Sequence, residues 1–483
     1  MSAAVYQRYP VEELDTHPLI AALRPPPNSL KEAVLRLRKR PSFTLEERDL
    51  AAPLRIVLID RLRRYWIPEE QDAKLLFAVY SQVFNGYLPR NPMIRDGQYF
   101  LHHRSFASTD RDSKCPSTIL MITGPSGSGK STLLGRLLDC LGEPLIDHVS
   151  FRGVPFPERQ LLFLRRNLPE HCTPRALGER FGFVVDRALG TNYESRFTKL
   201  RAATRGAYDD EIGKILVAHH LGVLCLDDIQ NLSLVGVGAK QIAAMICNLR
   251  DQTGVPIIAV GTPRAAKLLE NELSLPRRVT EDGSYELRRP SNSRDKHWQA
   301  FCHLTWRYQW VRKPVSYSDA IGDALHQYSG GIKGIALTNF RLAQREAILS
   351  GAECVTAETL RDVYETILKP IHPAIRILHS GDASLLLKYD DLFHDLWPKV
   401  DRGAPPPDLG IDDEDMQSLD AADADAEARA KQKSRRRVKA KPLTETTATK
   451  RSRSRPALPR LNDADALAKL LLSSDSDVRR FFA

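Results

Sequence analysis

A glycine-rich segment that ends in lysine and serine is the clearest chemical signal in the sequence. Residues 124–131 read GPSGSGKS, which fits the pattern GxxxxGK[ST], and they lie between an apolar run at 117–123 and a helical pattern that continues to Leu138. In a strand–loop–helix of this kind, backbone N–H groups converge on phosphate oxygens and the helix N-terminus adds positive potential. The residues predicted to bind ATP are Gly124, Pro125, Ser126, Gly127, Ser128, Gly129, Lys130, Ser131 and Thr132.

Four side chains have separate predicted roles in the chemistry of this site. Lys130 is expected to reach the β- and γ-phosphates, and the Ser131 hydroxyl is expected to bind Mg²⁺. A second apolar run, Val223–Leu226, ends in Asp227 and Asp228. At the carboxyl end of a buried strand, Asp227 would hold Mg²⁺ directly or through water, and Asp228 would orient or deprotonate the attacking water. The sequence therefore predicts ATP hydrolysis with Mg²⁺ as the cofactor.

The elements around these motifs predict an α/β fold. Strand-like and helical segments alternate between about residues 117 and 262, and Ile257–Val260 is a third apolar run suited to a buried strand. Residues 315–368 have a helical pattern that is interrupted at Gly330 and Gly331, which predicts a small lid domain. The expected fold is a P-loop NTPase with a central parallel sheet.

The residues before the sheet predict a small helical module. Thr44 and Glu47 fit a capping box, apolar positions then follow at helical spacing as far as Tyr65, and a second helix is predicted at 69–84. The predicted divisions are a flexible basic N-terminus (1–43), a helical module (44–98), an ATPase core (99–312), a helical lid with C-terminal helices (313–400), and a charged disordered tail (401–483) whose end could form a docking helix.

The composition is ordinary for a soluble globular protein, with a basic balance. The 483 residues carry a net charge of +10, so a polyanionic partner is plausible, although many basic proteins bind no nucleic acid. The seven cysteines have no metal-ligand spacing, which favours reduced thiols. No apolar run approaches the roughly 18 residues that span a bilayer, and the N-terminus lacks a signal peptide. The expected location is the cytoplasm.

The order of the motifs resembles that of AAA+ ATPases, and this resemblance implies further site residues. Thr262 follows the third strand at the place of sensor 1, a polar group near the γ-phosphate. Arg277 and Arg278 lie where a finger arginine reaches the ATP of a neighbouring subunit, and the sequence does not choose between them. Lys333 begins a helix at the place of sensor 2. Asp228 stands where most AAA+ ATPases have glutamate, and its shorter side chain predicts slow hydrolysis.

Three segments resemble the TnsC/TniB ATPases that regulate DNA transposition in bacteria. GYLPRNP at 86–92 is similar to the GYxxRNP signature before their core, LDDIQNL at 226–232 to their Walker B segment, and SGGI at 329–332 to the start of their lid helix. The resemblance covers about residues 50–370. It implies homo-oligomeric, ATP-bound rings or filaments on duplex DNA that link a TniQ/TnsD-like target selector to TnsA/TnsB-like transposase subunits, with ATP hydrolysis as the reset.

Such an assembly would contact DNA phosphates without reading the base sequence. The candidate DNA-binding residues lie between the two Walker motifs and are Thr173, Arg175, Arg180, Arg196, Lys199 and Arg201. A cluster of aromatic residues is predicted to belong to a hydrophobic core and not to a base-stacking surface; these are Trp298, Phe301, Trp306 and Trp310.

Two alternative functions share the same motifs. In the first, Asp228 makes the protein a nucleotide-gated scaffold that binds ATP, oligomerises and recruits partners with little hydrolysis. In the second, the chain is an AAA+ replication initiator or helicase loader. The GYxxRNP-like segment and the lack of a recognisable winged-helix sequence after the lid favour the transposition regulator over the second alternative.

Overall fold

The computed structural model of the chain describes residues 2–103, 117–168, 174–200, 205–231, 237–263 and 283–380. The predicted charged tail, 401–483, lies outside these ranges. No helix within them is both long enough and apolar enough to cross a lipid bilayer.

The elements alternate as the sequence pattern predicted. The strands are β1 Ser2–Ala3, β2 Ile119–Thr123, β3 Leu145–Asp147, β4 Ser150–Phe151, β5 Val154–Pro155, β6 Arg159–Leu161, β7 Phe163–Asn167, β8 Val223–Asp227, β9 Ile257–Gly261 and β10 Ser284–Glu286. The helices are α1 Glu12–Asp15, α2 Pro18–Ala21, α3 Leu30–Leu37, α4 Ala52–Ile59, α5 Glu70–Tyr87, α6 Arg95–His103, α7 Lys130–Leu141, α8 Pro174–Leu189, α9 Glu194–Lys199, α10 Arg205–Ala218, α11 Val237–Thr253, α12 Lys296–Trp306, α13 Asp319–Ser329, α14 Lys333–Leu349, α15 Ala357–Thr366 and α16 His372–Ser380. Short 3-10 helices occur at Leu45–Asp49, Asp60–Arg64, Leu88–Arg90, Ile229–Asn231 and Lys369–Ile371.

Five parallel strands form the central sheet, in the order β10-β2-β9-β8-β7. Strands β2, β8 and β9 are buried along their whole length, as expected for continuous apolar runs at the centre of a parallel sheet. Because the strands are parallel, their carboxyl ends meet at one edge of the sheet. The P-loop, Asp227 and Thr262 therefore lie at the same edge, where open α/β sheets bind their ligands.

Helices cover both faces of the sheet. Successive residues of β2 point to opposite faces, so Leu120 packs with α5 and α7 in one cluster and Met121 packs with α8, α10 and α11 in another. The fold is thus the α/β architecture predicted, with the P-loop helix α7 packed directly beneath the nucleotide edge.

The helical module predicted at 44–98 divides between two parts of the fold. Helix α5 packs against the sheet, whereas Ile59 and Leu62 enter the hydrophobic core of the lid. Arg55, only 1% exposed, strengthens this second attachment by donating hydrogen bonds to both carboxylate oxygens of Glu353, at 2.7 and 2.6 Å. The N-terminal residues therefore connect the sheet to the lid.

The core of the lid begins before the predicted boundary at residue 313, because α12 packs with the lid helices. It contains the predicted aromatic residues and the predicted break. Trp298, Phe301, Trp306 and Trp310 are at most 6% exposed, which confirms that they are core residues. They pack with apolar side chains of α13, α14 and α15. Gly330 separates α13 from α14 with a φ of 61°, a left-handed conformation that commonly ends a helix.

The capping box predicted from Thr44 and Glu47 was wrong. Thr44 precedes a 3-10 helix, and its side chain makes no capping hydrogen bond. The Glu47 carboxylate instead accepts hydrogen bonds from Arg61 at 2.7 Å and from Nε1 of Trp310 at 2.8 Å. These charged and long-range partners replace the local bond that the four-residue pattern indicated.

The GYLPRNP segment joins the end of α5 to the amino-terminal edge of the sheet. Arg90, 1% exposed, donates to the carbonyl oxygens of Gly86 at 2.7 Å and of Leu221, just before β8, at 2.8 Å. A Cβ on Gly86 would lie 2.7 Å from the side chain of Pro256, just before β9. This segment supports the sheet from the edge opposite the P-loop, so its most distinctive residues have a structural task.

Candidate nucleotide-binding site

The P-loop follows β2 and leads into the first turn of α7. Gly127 and Gly129 have φ angles of 81° and 98°, where a side chain would be strained. The Lys130 ammonium donates to two carbonyl oxygens of the loop at 2.8 and 2.9 Å. The Ser128 hydroxyl is buried and has no hydrogen-bond partner in the described part of the chain. A positioned ammonium and an unsatisfied hydroxyl inside a glycine-turned loop fit the phosphate oxygens of a nucleotide.

Two segments that are distant in sequence rest on this loop. The indole of Trp66 lies so close to Gly129 that a Cβ there would overlap the ring, and Trp66 is 8% exposed. From the lid, the N–H of Gly334 donates to the carbonyl oxygen of Gly127 at 3.1 Å. The loop is therefore held between a segment that precedes the sheet and the first turn of α14.

Oxygen ligands suited to Mg²⁺ lie beside the P-loop. The Ser131 hydroxyl donates to Oδ2 of Asp227 at 2.9 Å, and Asp227 is 1% exposed. A hydroxyl and a carboxylate are the hard ligands that this ion prefers, so the pair fits it. Nη2 of Arg165, from the neighbouring β7, donates to the same Oδ2 at 2.6 Å. Of the other predicted P-loop residues, Ser126 is exposed and Thr132 lies in the first turn of α7.

Asp228 has a constrained backbone and a carboxylate that accepts one hydrogen bond at each oxygen. Its φ of 59° is uncommon for a residue other than glycine, and such conformations cluster at functional sites. The carboxylate accepts hydrogen bonds from Asn167 and from Gln230, both at 3.1 Å. Oε1 of Gln230 in turn accepts the backbone N–H of Thr262 at 3.1 Å. One hydrogen-bond network thus joins the ends of β7, β8 and β9 around the second Walker B carboxylate.

Lys333 begins α14, and its ammonium forms an ion pair with the carboxylate of Glu69 just before α5. Burial would raise the pKa of Glu69, but the pairing with Lys333 holds that pKa below its usual value. Burial raises the pKa of the nearby Asp72 to about 7, although the N–H of Glu69 donates to its carboxylate. The sensor 2 candidate therefore links the lid helix to the N-terminal part of the chain, one residue from the contact of Gly334 with the P-loop.

The remaining predicted residues fall into two groups. Outside the described residues lie Arg277 and Arg278, the finger candidates, and Thr173 and Arg201, two of the DNA candidates. Exposed on the adjoining helices α8 and α9 are Arg175, Arg180, Arg196 and Lys199. Two of these charges are offset, because Arg175 pairs with Glu179 at 2.9 Å and Arg196 pairs with Glu211 at 3.2 Å. The basic surface of these helices is therefore weaker than its residue types suggested.

Four residues of the site did not emerge from the sequence; they are Trp66, Arg165, Asn167 and Gln230. Gln230 was within reach, because it stands two residues after Asp228. Trp66 reaches the site because its segment packs against the P-loop, and Arg165 and Asn167 reach it because β7 pairs with β8. These long-range contacts have no local sequence pattern. The usable signal for Arg165 and Asn167 was a short apolar run that ends in Arg-Arg-Asn, since polar residues at the carboxyl end of a parallel strand reach the ligand edge.

Comparisons with known proteins agree with this geometry over part of the chain. Residues 116–269 match the family model described as AAA domain. No curated protein sequence matches the chain significantly. Similar solved structures include the Orc1 protein of Aeropyrum pernix in complex with DNA (13% identity, 54% of this chain and 62% of that chain, TM-score 0.37) and the Walker-type ATPase PABY2304 of Pyrococcus abyssi (14%, 56% and 71%, TM-score 0.35). A third is Drosophila ORC bound to DNA (12%, 77% and 72%, TM-score 0.34).

The chain spans less than two thirds of the Aeropyrum protein, and the TM-scores of all three structures are too low to bear on function. The assignment rests instead on the matched domain, the P-loop between β2 and α7, and the paired carboxylates at the end of β8. These features identify residues 116–269 as an AAA domain that carries the motifs of a nucleotide-binding ATPase.

Proposed function

We propose that the chain is an ATP-hydrolysing switch whose nucleotide state passes from the P-loop to the lid. The observation that carries this proposal is the 3.1 Å hydrogen bond from the Gly334 N–H to the carbonyl oxygen of Gly127. Phosphates bound by the loop would contact the same short stretch of backbone that holds the lid helix. ATP and ADP would then favour different positions of α14, which is the differential binding that a two-state switch requires.

Each residue has a defined task in this mechanism. Lys130 binds phosphate oxygens once it leaves the loop carbonyls. Ser131 and Asp227 would hold Mg²⁺, which neutralises charge on the phosphates when it is bound. Asp228 accepts the hydrogen bond, and then the proton, of the attacking water. Asn167 keeps the Asp228 carboxylate at the carboxyl edge of the sheet.

The proposal extends to the process in which the switch acts, the regulation of DNA transposition in the manner of TnsC/TniB proteins. Its support is the sequence resemblance at 86–92, 226–232 and 329–332, together with exposed cations on α8 and α9. ATP-bound copies would assemble on duplex DNA and link a TniQ/TnsD-like selector to TnsA/TnsB-like transposase subunits. Contacts to DNA phosphates would be independent of base sequence and sensitive to salt.

Electron microscopy of the full chain with linear duplex DNA tests this proposal. Rings or filaments are expected with a non-hydrolysable ATP analogue and not with ADP, and Lys130→Ala should abolish them. Particles that remain monomeric and off DNA with both nucleotides would contradict the DNA part, whereas ATP binding is measured separately by calorimetry.

A matched pair of double variants locates the DNA contact. Arg180 and Lys199 have no ion-pair partner in the described part of the chain. Replacing both with alanine should therefore reduce the slope of log K for DNA binding against log salt concentration by about two, the amount expected for two lost phosphate contacts. Replacing Arg175 and Arg196, whose charges are already offset, should have the smaller effect. If neither double variant changes the salt dependence or the affinity, α8 and α9 do not contact DNA.

A nucleotide-gated scaffold with little turnover is the second candidate. It is favoured by Asp228, because both oxygens of its carboxylate already accept hydrogen bonds. Phosphate release with and without DNA separates the two candidates. Measurable turnover that Asp228→Asn removes supports the ATPase, whereas ATP-dependent assembly of the wild type without measurable turnover supports the scaffold.

A further inference from the structure

Arg165 and Ser131 both donate hydrogen bonds to one oxygen of Asp227. Nη2 of Arg165 lies 2.6 Å from Oδ2, and the Ser131 hydroxyl lies 2.9 Å from the same atom. The other oxygen, Oδ1, accepts the backbone N–H of Asp228 at 3.1 Å. A carboxylate oxygen has two lone-pair directions, so Oδ2 is fully used by these two donors.

The two donors differ in what they can do beside a metal ion. The hydroxyl of Ser131 has lone pairs of its own and can join Asp227 as a ligand. A guanidinium has five N–H donors and no acceptor, so Arg165 cannot become a ligand of the ion. Its charge would also repel a divalent cation at this distance. A cation could take the lone pair of Oδ2 that Ser131 leaves, but it would then lie close to the charge of Arg165 on the same oxygen, so its binding favours the release of Arg165.

The position of Arg165 allows this release. Its side chain is 32% exposed, whereas Asp227 is almost completely buried at 1%. Strand β7 is the last strand in the order of the described sheet, so the arginine has solvent beside it. On its other side, Nη1 lies 3.8 Å from the place of a Cβ on Gly135 of α7. The side chain thus reaches between the edge strand and the P-loop helix onto a buried carboxylate, and it can leave without unpacking the sheet.

We propose that Arg165 competes with Mg²⁺ for Asp227 and thereby sets the Mg²⁺ concentration at which the site binds nucleotide. The inference rests on the proposed nucleotide site and concerns a positioning residue, because Arg165 acts through Asp227. The arginine neutralises the buried carboxylate until the ion replaces it. Its removal should make Mg²⁺ binding easier and leave the carboxylate dependent on the ion.

The test is a MgCl₂ titration of the full-length chain with a fluorescent ADP analogue, which measures binding without turnover. Arg165→Gln should lower the Mg²⁺ midpoint by about fivefold to tenfold, the range expected when a competing partly buried ion pair is lost. Arg165→Lys keeps a donor-only cation and should stay nearer the wild type. Arg166→Gln removes the same charge from the next residue of β7, which faces the opposite side, and should not change the midpoint.

Two further measurements make the result specific. In EDTA, Arg165→Gln should melt at a lower temperature than the wild type, because Asp227 has lost the cation that neutralises it. Addition of Mg²⁺ with ADP should then raise the melting temperature of Arg165→Gln by more than it raises that of the wild type. In an Asp227→Asn background, Arg165→Gln should no longer shift the midpoint. A midpoint that is unchanged or raised by Arg165→Gln would overturn the inference. If the wild type binds no nucleotide even at saturating Mg²⁺, the proposed function fails instead.

Discussion

The contact between the lid helix and the P-loop can be tested with a single methyl group. A Cβ on Gly334 would overlap the carbonyl oxygen of Gly127, and that oxygen belongs to backbone that cannot rotate away. Gly334→Ala should therefore push the start of α14 off the loop and break the 3.1 Å hydrogen bond between the two residues. Gly135→Ala is the matched control, since it also lies in a helix and a Cβ there meets only one atom, 3.8 Å away on Arg165.

The two substitutions have opposite expected effects on stability. Alanine is favoured over glycine in a helix by about 1 kcal/mol, so Gly135→Ala should raise the free energy of unfolding by up to that amount. At Gly334 the same gain is opposed by an overlap that costs about 1–3 kcal/mol. Gly334→Ala should therefore be about 1–3 kcal/mol less stable than Gly135→Ala, as measured by urea unfolding followed by circular dichroism.

Nucleotide affinity gives a second readout. The lost hydrogen bond between lid and loop is worth about 1 kcal/mol, so the Kd for ADP should rise about fivefold in Gly334→Ala. Gly135→Ala should bind ADP as the wild type does. If both variants gain equal stability and bind ADP equally well, the lid does not rest on the P-loop as described, and the proposed route of the switch is wrong.

Three further predictions follow from other contacts. Asp228→Asn keeps the size and the backbone conformation of the residue but removes the base, so phosphate release should stop while calorimetry still detects ATP binding; continued release would exclude Asp228 as the base. Arg90→Ala removes the charged donor from two buried carbonyl oxygens, one of them that of Leu221, so it should lower the free energy of unfolding by about 3 kcal/mol. The exposed Arg175→Ala is the control and should lower it by less than about 0.5 kcal/mol. Similar losses for the two variants would contradict the structural task of Arg90. Burial lowers the pKa of His17 to about 3, so below pH 6.5 the unfolded chain takes up a proton that the folded chain does not, and stability should fall by about 2 kcal/mol at pH 5. His17→Asn should remove that part of the loss between pH 7.5 and pH 5, and an unchanged pH dependence would refute the buried neutral imidazole.

The sheet and the primary nucleotide motifs were predictable because their signals are local. An apolar run too short for a helix, followed by GxxxxGK[ST], leaves few alternatives for 117–138, and the observed strand and helix match it. The break at Gly330 was also predictable, since the residue stands between two strong helical patterns. These features depend on neighbouring residues and not on where the chain returns.

Residues that reach the site from far along the chain could not be predicted in this way. Trp66 contacts a glycine 63 positions later, and Arg165 contacts a carboxylate 62 positions later, because of strand pairing and helix packing that no short window contains. The failure at Thr44 and Glu47 has the same cause. A local capping bond is worth about 1 kcal/mol, and a partly buried carboxylate shared by an arginine and an indole N–H outweighs it.

Both Walker B carboxylates already have hydrogen-bond partners within the chain. Asp227 is satisfied by Arg165 and Ser131, and Asp228 by Asn167 and Gln230, so neither carboxylate gains simply by acquiring a first partner. At Oδ2 of Asp227 both lone pairs are used, so binding there must exchange a donor, and one of the two donors is Arg165 of β7. Each oxygen of Asp228 keeps a free lone pair, so water can join it beside Asn167 of β7 without displacing a donor. Since β7 carries both Arg165 and Asn167 on the same face, two residues apart, the arrival of the metal at one carboxylate and of water at the other would be felt by one edge strand. That strand, rather than the P-loop alone, is where we expect the bound nucleotide to be distinguished from its hydrolysed product.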